Sequence, residues 1–169
     1  SKTNLHSIKP MTIQTGDPYW EAQGGTVPPG LSGTVNAIAV SGSDVYVGGV
    51  FSSMGGNPTA AYIAKWNGTS WEALGTGVNG NVNAITVSGS DIYVGGSFTT
   101  AGGISTPGIA RWDGSAWNSV GGGITGSNVR AIAVSGSNVY VGGAFTDANG
   151  NTNADNIALW DGVSWNALG

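Results

Sequence analysis

The segment Val35–Gly49 occurs three times, returning as Val82–Gly96 and as Val129–Gly143. Tyr46, Tyr93 and Tyr140 stand 47 residues apart, and so do Phe51, Phe98 and Phe145. A period of this size marks a repeat architecture, in which each unit is one small group of elements stacked against its neighbours. It constrains the fold more tightly than any other feature of the chain.

Each repeat carries four short strand signals. In the first repeat Val35–Val40 is one, with Val35, Ala37 and Ala39 alternating with Asn36, Ile38 and Val40. Ser41-Gly42-Ser43-Asp44 is a turn, because Gly accepts positive φ and Ser and Asp bond their own backbone. Val45–Gly49 is β-branched and aromatic, which suits a pleated, buried strand. A variable loop follows, then Tyr62–Trp66, a hairpin loop at Asn67-Gly68-Thr69-Ser70, and Trp71–Leu74. No window shows apolar residues at helical spacing. Short strands with evenly spaced turns predict an all-β fold.

The hairpin is sharply defined: Trp66-Asn67-Gly68-Thr69-Ser70-Trp71, Trp112-Asp113-Gly114-Ser115-Ala116-Trp117 and Trp160-Asp161-Gly162-Val163-Ser164-Trp165. If the four residues between them form the loop, each pair of Trp faces itself across two strands. Such pairs contribute about 0.2–1 kcal/mol. Large aromatics of this kind are expected to pack between neighbouring units. Asn67-Gly68-Thr69 also fits a glycosylation sequon, but its counterparts Asp113 and Asp161 do not, so it reads as a turn. The doublets Gly48-Gly49, Gly95-Gly96 and Gly142-Gly143 predict a bulge or a close backbone approach. No Lys and no helix start follows them, which excludes a phosphate-binding loop.

These residues resemble the kelch-type repeat of galactose-oxidase-like β-propellers: Val45-Tyr46-Val47-Gly48-Gly49, a variable loop, then Trp66 and Trp71. The cadences Gly-Gly-x-Phe, Ile-Ala-x-Trp-Asp-Gly and Trp-x-x-Leu-Gly are also similar to repeats of fungal cortical polarity-marker proteins and of secreted bacterial propellers. The resemblance spans residues 34–169 and implies one four-stranded blade per repeat. The expected organisation is an N-terminal arm at 1–18, an extra fourth-strand-like segment and linker at 19–33, and blades at 34–80, 81–126 and 127–169. The third strand carries Trp where the family usually has Tyr.

Propellers typically have 4 to 8 blades, and this chain supplies three. Three blades leave two end faces rich in Trp, Ile and Val, and an apolar face of that kind seeks cover. Two chains making one six-bladed ring is the most economical closure; a contact that fails to close gives a filament. A piece of a longer propeller is the third option. Tyr19-Trp20-Glu21-Ala22-Gln23-Gly24 mimics Ser70-Trp71-Glu72-Ala73-Leu74-Gly75. That strand could clasp a ring or be donated to another chain's sheet edge. The residues expected to carry assembly are Tyr19, Trp20, Trp66, Trp71, Trp160 and Trp165. Residues 1–18 match no repeat and read as an arm or docking segment, and the opening Ser1-Lys2 without Met fits a trimmed product.

Charged residues are 8% of the chain and the net charge is −4. Five basic residues give no stripe for nucleic acid or an anionic membrane, and no apolar run approaches the roughly 18 residues of a membrane span. There is no Cys and one His, His6, in the leader. The copper radical chemistry that a galactose-oxidase resemblance would imply needs Tyr, His and Cys ligands, so it is rejected. Asp and Asn alternate at equivalent turns, which is turn chemistry rather than a catalytic dyad. No catalytic and no cofactor-binding residues are assigned. One loop, Asp147-Ala148-Asn149-Gly150-Asn151-Thr152-Asn153-Ala154-Asp155, has oxygen-bearing side chains at every second position. It resembles the calcium loops of integrin-type propellers, which implies Asp147, Asn149, Asn151 and Asp155 as ligands of Ca²⁺. It departs from them with Gly150 at the fourth place and Thr152 where the sharp-turn Gly belongs. A plain polar loop is the competing reading.

The functional expectation is a non-catalytic, extracellular or surface-located propeller acting in binding or self-assembly, its partner being itself. The alternatives are a structural subunit of a filament, capsid or appendage joined by the leader strand, and a multivalent carbohydrate-binding propeller. In the leading reading and the carbohydrate-binding one, the loops 52–61, 99–108 and 146–156 would offer the surface for a glycan or protein.

Overall fold

The computed structural model describes residues 33–57, 59–126 and 128–168. They form three four-stranded antiparallel sheets, and no helix occurs among them. The first sheet is β1 (Gly33–Ser41), β2 (Asp44–Phe51), β3 (Ile63–Trp66) and β4 (Trp71–Glu72), in that order across the sheet. The second runs β5 (Asn81–Ser88), β6 (Asp91–Ser97), β9 (Ile109–Trp112) and β10 (Trp117–Ser119). Its long loop holds a small hairpin, β7 (Thr100–Ala101) with β8 (Ile104–Ser105). The third runs β11 (Asn128–Ser135), β12 (Asn138–Ala144), β13 (Ile157–Trp160) and β14 (Trp165–Ala167). The meander and the side-by-side stacking are those of consecutive propeller blades.

Strict alternation along the first strand of each blade does not hold. The register slips between Val35 and Ala37, between Val82 and Ala84, and between Val129 and Ala131. The extra residue, Asn36, Asn83 or Arg130, is a β-bulge, which reverses the phase of the strand. Val82, Ile85 and Val87 consequently share one face and one core. The second glycine of each doublet lies across from the bulge. A Cβ on Gly49, Gly96 or Gly143 would stand 1.9, 1.9 or 2.3 Å from the carbonyl oxygen of Thr34, Asn81 or Asn128. Only Gly allows so close a backbone approach.

Two of the three buried clusters lie between blades, and the third, with Val47, Phe51, Met54 and Ala64, lies on the leading face of the first blade. One cluster joins Tyr46, Ile63 and Leu74 of the first blade to Val82, Ile92, Val94 and Trp117 of the second. The next joins Ile109, Val120 and Ile124 of the second to Val129, Val139, Val141 and Trp165 of the third. Each blade therefore has a leading face, carrying the Trp pair, and a trailing face, carrying the Tyr and Ile.

The tryptophans occupy the predicted positions. Trp66 pairs with Trp71, Trp112 with Trp117 and Trp160 with Trp165 across each hairpin. Their ring centroids are 5.4, 5.5 and 5.6 Å apart with tilted planes, a favoured aromatic geometry.

Candidate assembly faces and rim loops

At each internal junction the indole of the fourth strand reaches back to the preceding blade. Trp117 Nε1 donates to the Leu74 carbonyl at 2.8 Å, and Trp165 Nε1 to the Gly121 carbonyl at 3.0 Å. The bulge residues make a second link near the inner edge. Asn36 Nδ2 donates to the Val82 carbonyl at 3.1 Å, and Asn83 Nδ2 to the Val129 carbonyl at 3.0 Å. Arg130 holds the same place in the third blade and is exposed.

The two end faces repeat this chemistry without a neighbour among the described residues. On the trailing side Ile63 and Ile109 are 0% exposed, whereas Ile157 is 47% exposed. Leu74 and Val120 are 2% and 4% exposed, whereas Leu168 is 42%. On the leading side Ile38 and Val40 are 64% and 63% exposed, while their counterparts Ile85 and Val87 pack on the first inter-blade core. Trp71 is half-buried where Trp117 and Trp165 are buried. Trp66 and Trp71 thus stand on the leading end face, and Trp160 and Trp165 inside the last junction. Tyr19, Trp20 and His6 lie outside the described residues.

The third blade differs from the other two in charge. Lys65 sits 2.9 Å from Glu72 and 3.6 Å from Asp44, and Arg111 sits 3.1 Å from Asp91. The third repeat replaces the basic residue with Leu159 and its turn carboxylate with Asn138. These ion pairs lie across strands, so sequence reading took Asp44 and Asp91 for turn residues alone. The overlooked signal was the matched loss of both charges. Hydrogen bonding to Glu72 raises the Lys65 pKa, and Glu72 is held low by Lys65 and then by Asn67.

The hairpin carboxylates behave as turn residues. Asp113 Oδ1 accepts from the backbone N–H of Ser115 at 2.9 Å and of Ala116 at 2.8 Å. Asp161 Oδ1 does the same for Val163 and Ser164, both at 2.8 Å. Asn67 Oδ1 makes the same two contacts with Thr69 and Ser70 at 2.9 Å. These backbone donors, Ala116 foremost for Asp113 and Ser164 for Asp161, hold both carboxyls below the usual range.

The long loops fold over the outer strand of their blades. In the third, Ala148 and Asn151 form a bridge, and Asn151 Nδ2 donates to the Trp165 carbonyl at 2.9 Å. Asn151 Oδ1 accepts from Asn153 N at 3.1 Å, and Asp147 Oδ1 caps the N–H of Gly150. Of the residues considered for Ca²⁺, Asp147 and Asn151 thus spend side-chain atoms on the turn. Asn149 adopts φ 48°, and Asp155 lines a shallow hollow with Ile157 and Leu168. Among the described residues no three of His, Cys, Asp and Glu stand together as a metal cluster. A cavity of about 340 Å³ opens between this loop and the hairpin, with Asn149, Asn151, Trp160, Ser164 and Trp165 in its wall.

A solved structure and a family model are similar to this chain. A crystal structure of the computationally designed Ika8 protein is 18% identical with a TM-score of 0.48, over 77% of this chain and 34% of that one. The chain therefore spans about a third of the length of that structure. A search of the curated proteins found no match. The family description "Rax2 C-terminal beta propeller domain" matches residues 63–162, which is 100 of the 169 residues. The match is to a propeller family and leaves the kelch-type subdivision as a resemblance of the repeats. The chain belongs to the Rax2 C-terminal β-propeller domain family.

Proposed function

We propose that this propeller domain is a non-catalytic module of binding and self-assembly, completed by a second copy that docks its third blade on the first blade of its neighbour. Two chains then make one six-bladed ring. The reading is carried by the contrast between Ile63 and Ile109, both fully buried, and Ile157, 47% exposed at the same place in its blade. Both faces keep junction chemistry, and the third blade carries Leu159 and Asn138 where the other two carry an ion pair. A head-to-tail contact of this type closes if the rotation per blade is that of a ring. The surface composition, rich in Asn, Thr, Ser and Gly, supports a location outside the cell.

Sedimentation tests it. The wild type is expected at twice its 16.8 kDa, and Ile157→Arg, at an exposed site, is expected to stay folded at the mass of one chain. A wild type that remains at single-chain mass across micromolar to near-millimolar concentration overturns the reading.

A second reading, glycan binding at the outer loops, has one observation behind it. The cavity beside Trp160 offers an indole with amides and a hydroxyl and no charged group in its wall, and its volume falls within the lower range of ligand pockets. A glycan array probed with wild type and with Asn149→Ala is expected to show signal only for the former; a blank array at high protein concentration removes this reading.

A further inference from the structure

The first glycine of each doublet, Gly48, Gly95 or Gly142, lies on the trailing face, on the same side of its strand as the Tyr two residues before it. A Cβ on Gly48 would stand 2.3 Å from Val82 Cγ1 and 3.0 Å from Ile85 Cδ1. One on Gly95 would stand 2.6 Å from Val129 Cγ1 and 2.8 Å from Ile132 Cδ1. These positions have ordinary φ, so the demand for Gly is one of space between blades, not of backbone conformation. Within the described chain Gly142 meets no such demand. Its nearest neighbours would be Ala131 Cβ and the Asn156 carbonyl oxygen, both at a comfortable 3.9 Å. In a strand, Gly at such a place is less stable than Ala by about 0.5–1 kcal/mol.

The residues that claim the space are the bulge-flanking Val and the Ile three positions on, Val82 with Ile85 and Val129 with Ile132. This chain carries a third such pair, Val35 with Ile38, and Ile38 is 64% exposed. The face at Gly142 has room for such a pair, and Val35 with Ile38 is a pair of that kind. We infer that Gly142 receives Val35 and Ile38 of a second copy, which makes it the residue that sets the spacing of the inter-chain junction. The inference rests on the self-assembly reading and assigns the contact within it.

Gly142→Ala separates the two. It fills open space in a single chain, so thermal stability of the separated chain is expected to be unchanged or slightly raised. At the junction it meets Val35 Cγ1, and self-association is expected to weaken about ten- to a hundred-fold. Val35→Ala removes that methyl, and the double variant Val35→Ala, Gly142→Ala is expected to recover part of the loss. Gly95→Ala, at an internal junction, is expected to lower the melting temperature instead. If the wild type associates and Gly142→Ala associates with the same Kd, the inference is overturned while the assembly reading stands. If the wild type does not associate, the reading fails and the inference with it.

Discussion

Trp117 of the second blade donates its indole N–H to the carbonyl of Leu74 in the first, at 2.8 Å, while its ring lies against Trp112. One side chain thereby closes a hairpin and ties two blades. Trp117→Phe keeps most of the ring and removes the donor, leaving a carbonyl in the junction without its partner. The expected loss is about 1–3 kcal/mol, read as a lower urea midpoint with little change in m-value. Trp71→Phe, half-buried on the leading face of the first blade, is expected to cost less in a separated chain. Equal losses at the two positions would count against the junction bond as the source.

The blade was legible in the sequence because the features that define it are local. A Trp, an Asx-Gly turn and a second Trp fix the outer hairpin register by themselves, and the three copies agree. The bulge at Asn36, Asn83 and Arg130 was not legible, since an inserted residue leaves no mark on a run such as Val-Asn-Ala-Ile-Ala-Val; it shows only when the strand is laid against its glycine doublet. The phase of the inner strand, and with it the membership of Ile38 on the leading face, depended on that bulge. The pairing of Asp44 with Lys65 was hidden for a related reason, because it needs the β2–β3 register. The expectation of two junction-like faces came from the blade count alone, while the residues on the trailing one, Ile157 and Leu168 against Ile63 and Leu74, needed burial in the fold.

The residue before the third strand is held in the left-handed region in every blade: Tyr62 at φ 62°, Gly108 at 74° and Asn156 at 58°. The same two bonds impose it: its N–H donates to the Phe carbonyl, and its carbonyl accepts from the N–H of the second glycine of the doublet. Gly108→Asn is therefore expected to change stability by only a few tenths of a kcal/mol, since Asn visits this region readily. Gly108→Val is expected to cost about 2 kcal/mol or more, because a β-branched residue there is strained. Differential scanning calorimetry of both variants checks this, and a tolerated Val would show that the loop can leave the left-handed conformation.

Lys65 bridges two carboxylates where Arg111 meets one. All these side chains are partly open to water, so the Coulomb gain is small and screened. Lys65→Met is expected to lower stability by no more than about 1 kcal/mol at low salt, and by less at 1 M salt. A large, salt-independent loss would mean that the lysine stem, packed along the trailing face, matters more than its charge.

Asp113 and Asp161 give the hairpins a common response to acid. Backbone N–H donors hold both carboxyls below the usual Asp value, which is about 4 in an unfolded chain. A depressed folded-state pKa means that the unfolded state binds protons first, so the stabilisation is fully present above about pH 4 and is lost as pH falls toward the folded values. Asn67 makes the same backbone contacts without titrating. In the double variant Asp113→Asn, Asp161→Asn the urea midpoint is therefore expected to fall less steeply between about pH 4 and pH 2 than in the wild type, with similar stability near neutrality. Glu72, held low by Lys65, leaves a residual slope in both proteins. Parallel curves for variant and wild type would show that the acid response arises elsewhere than in these two turns.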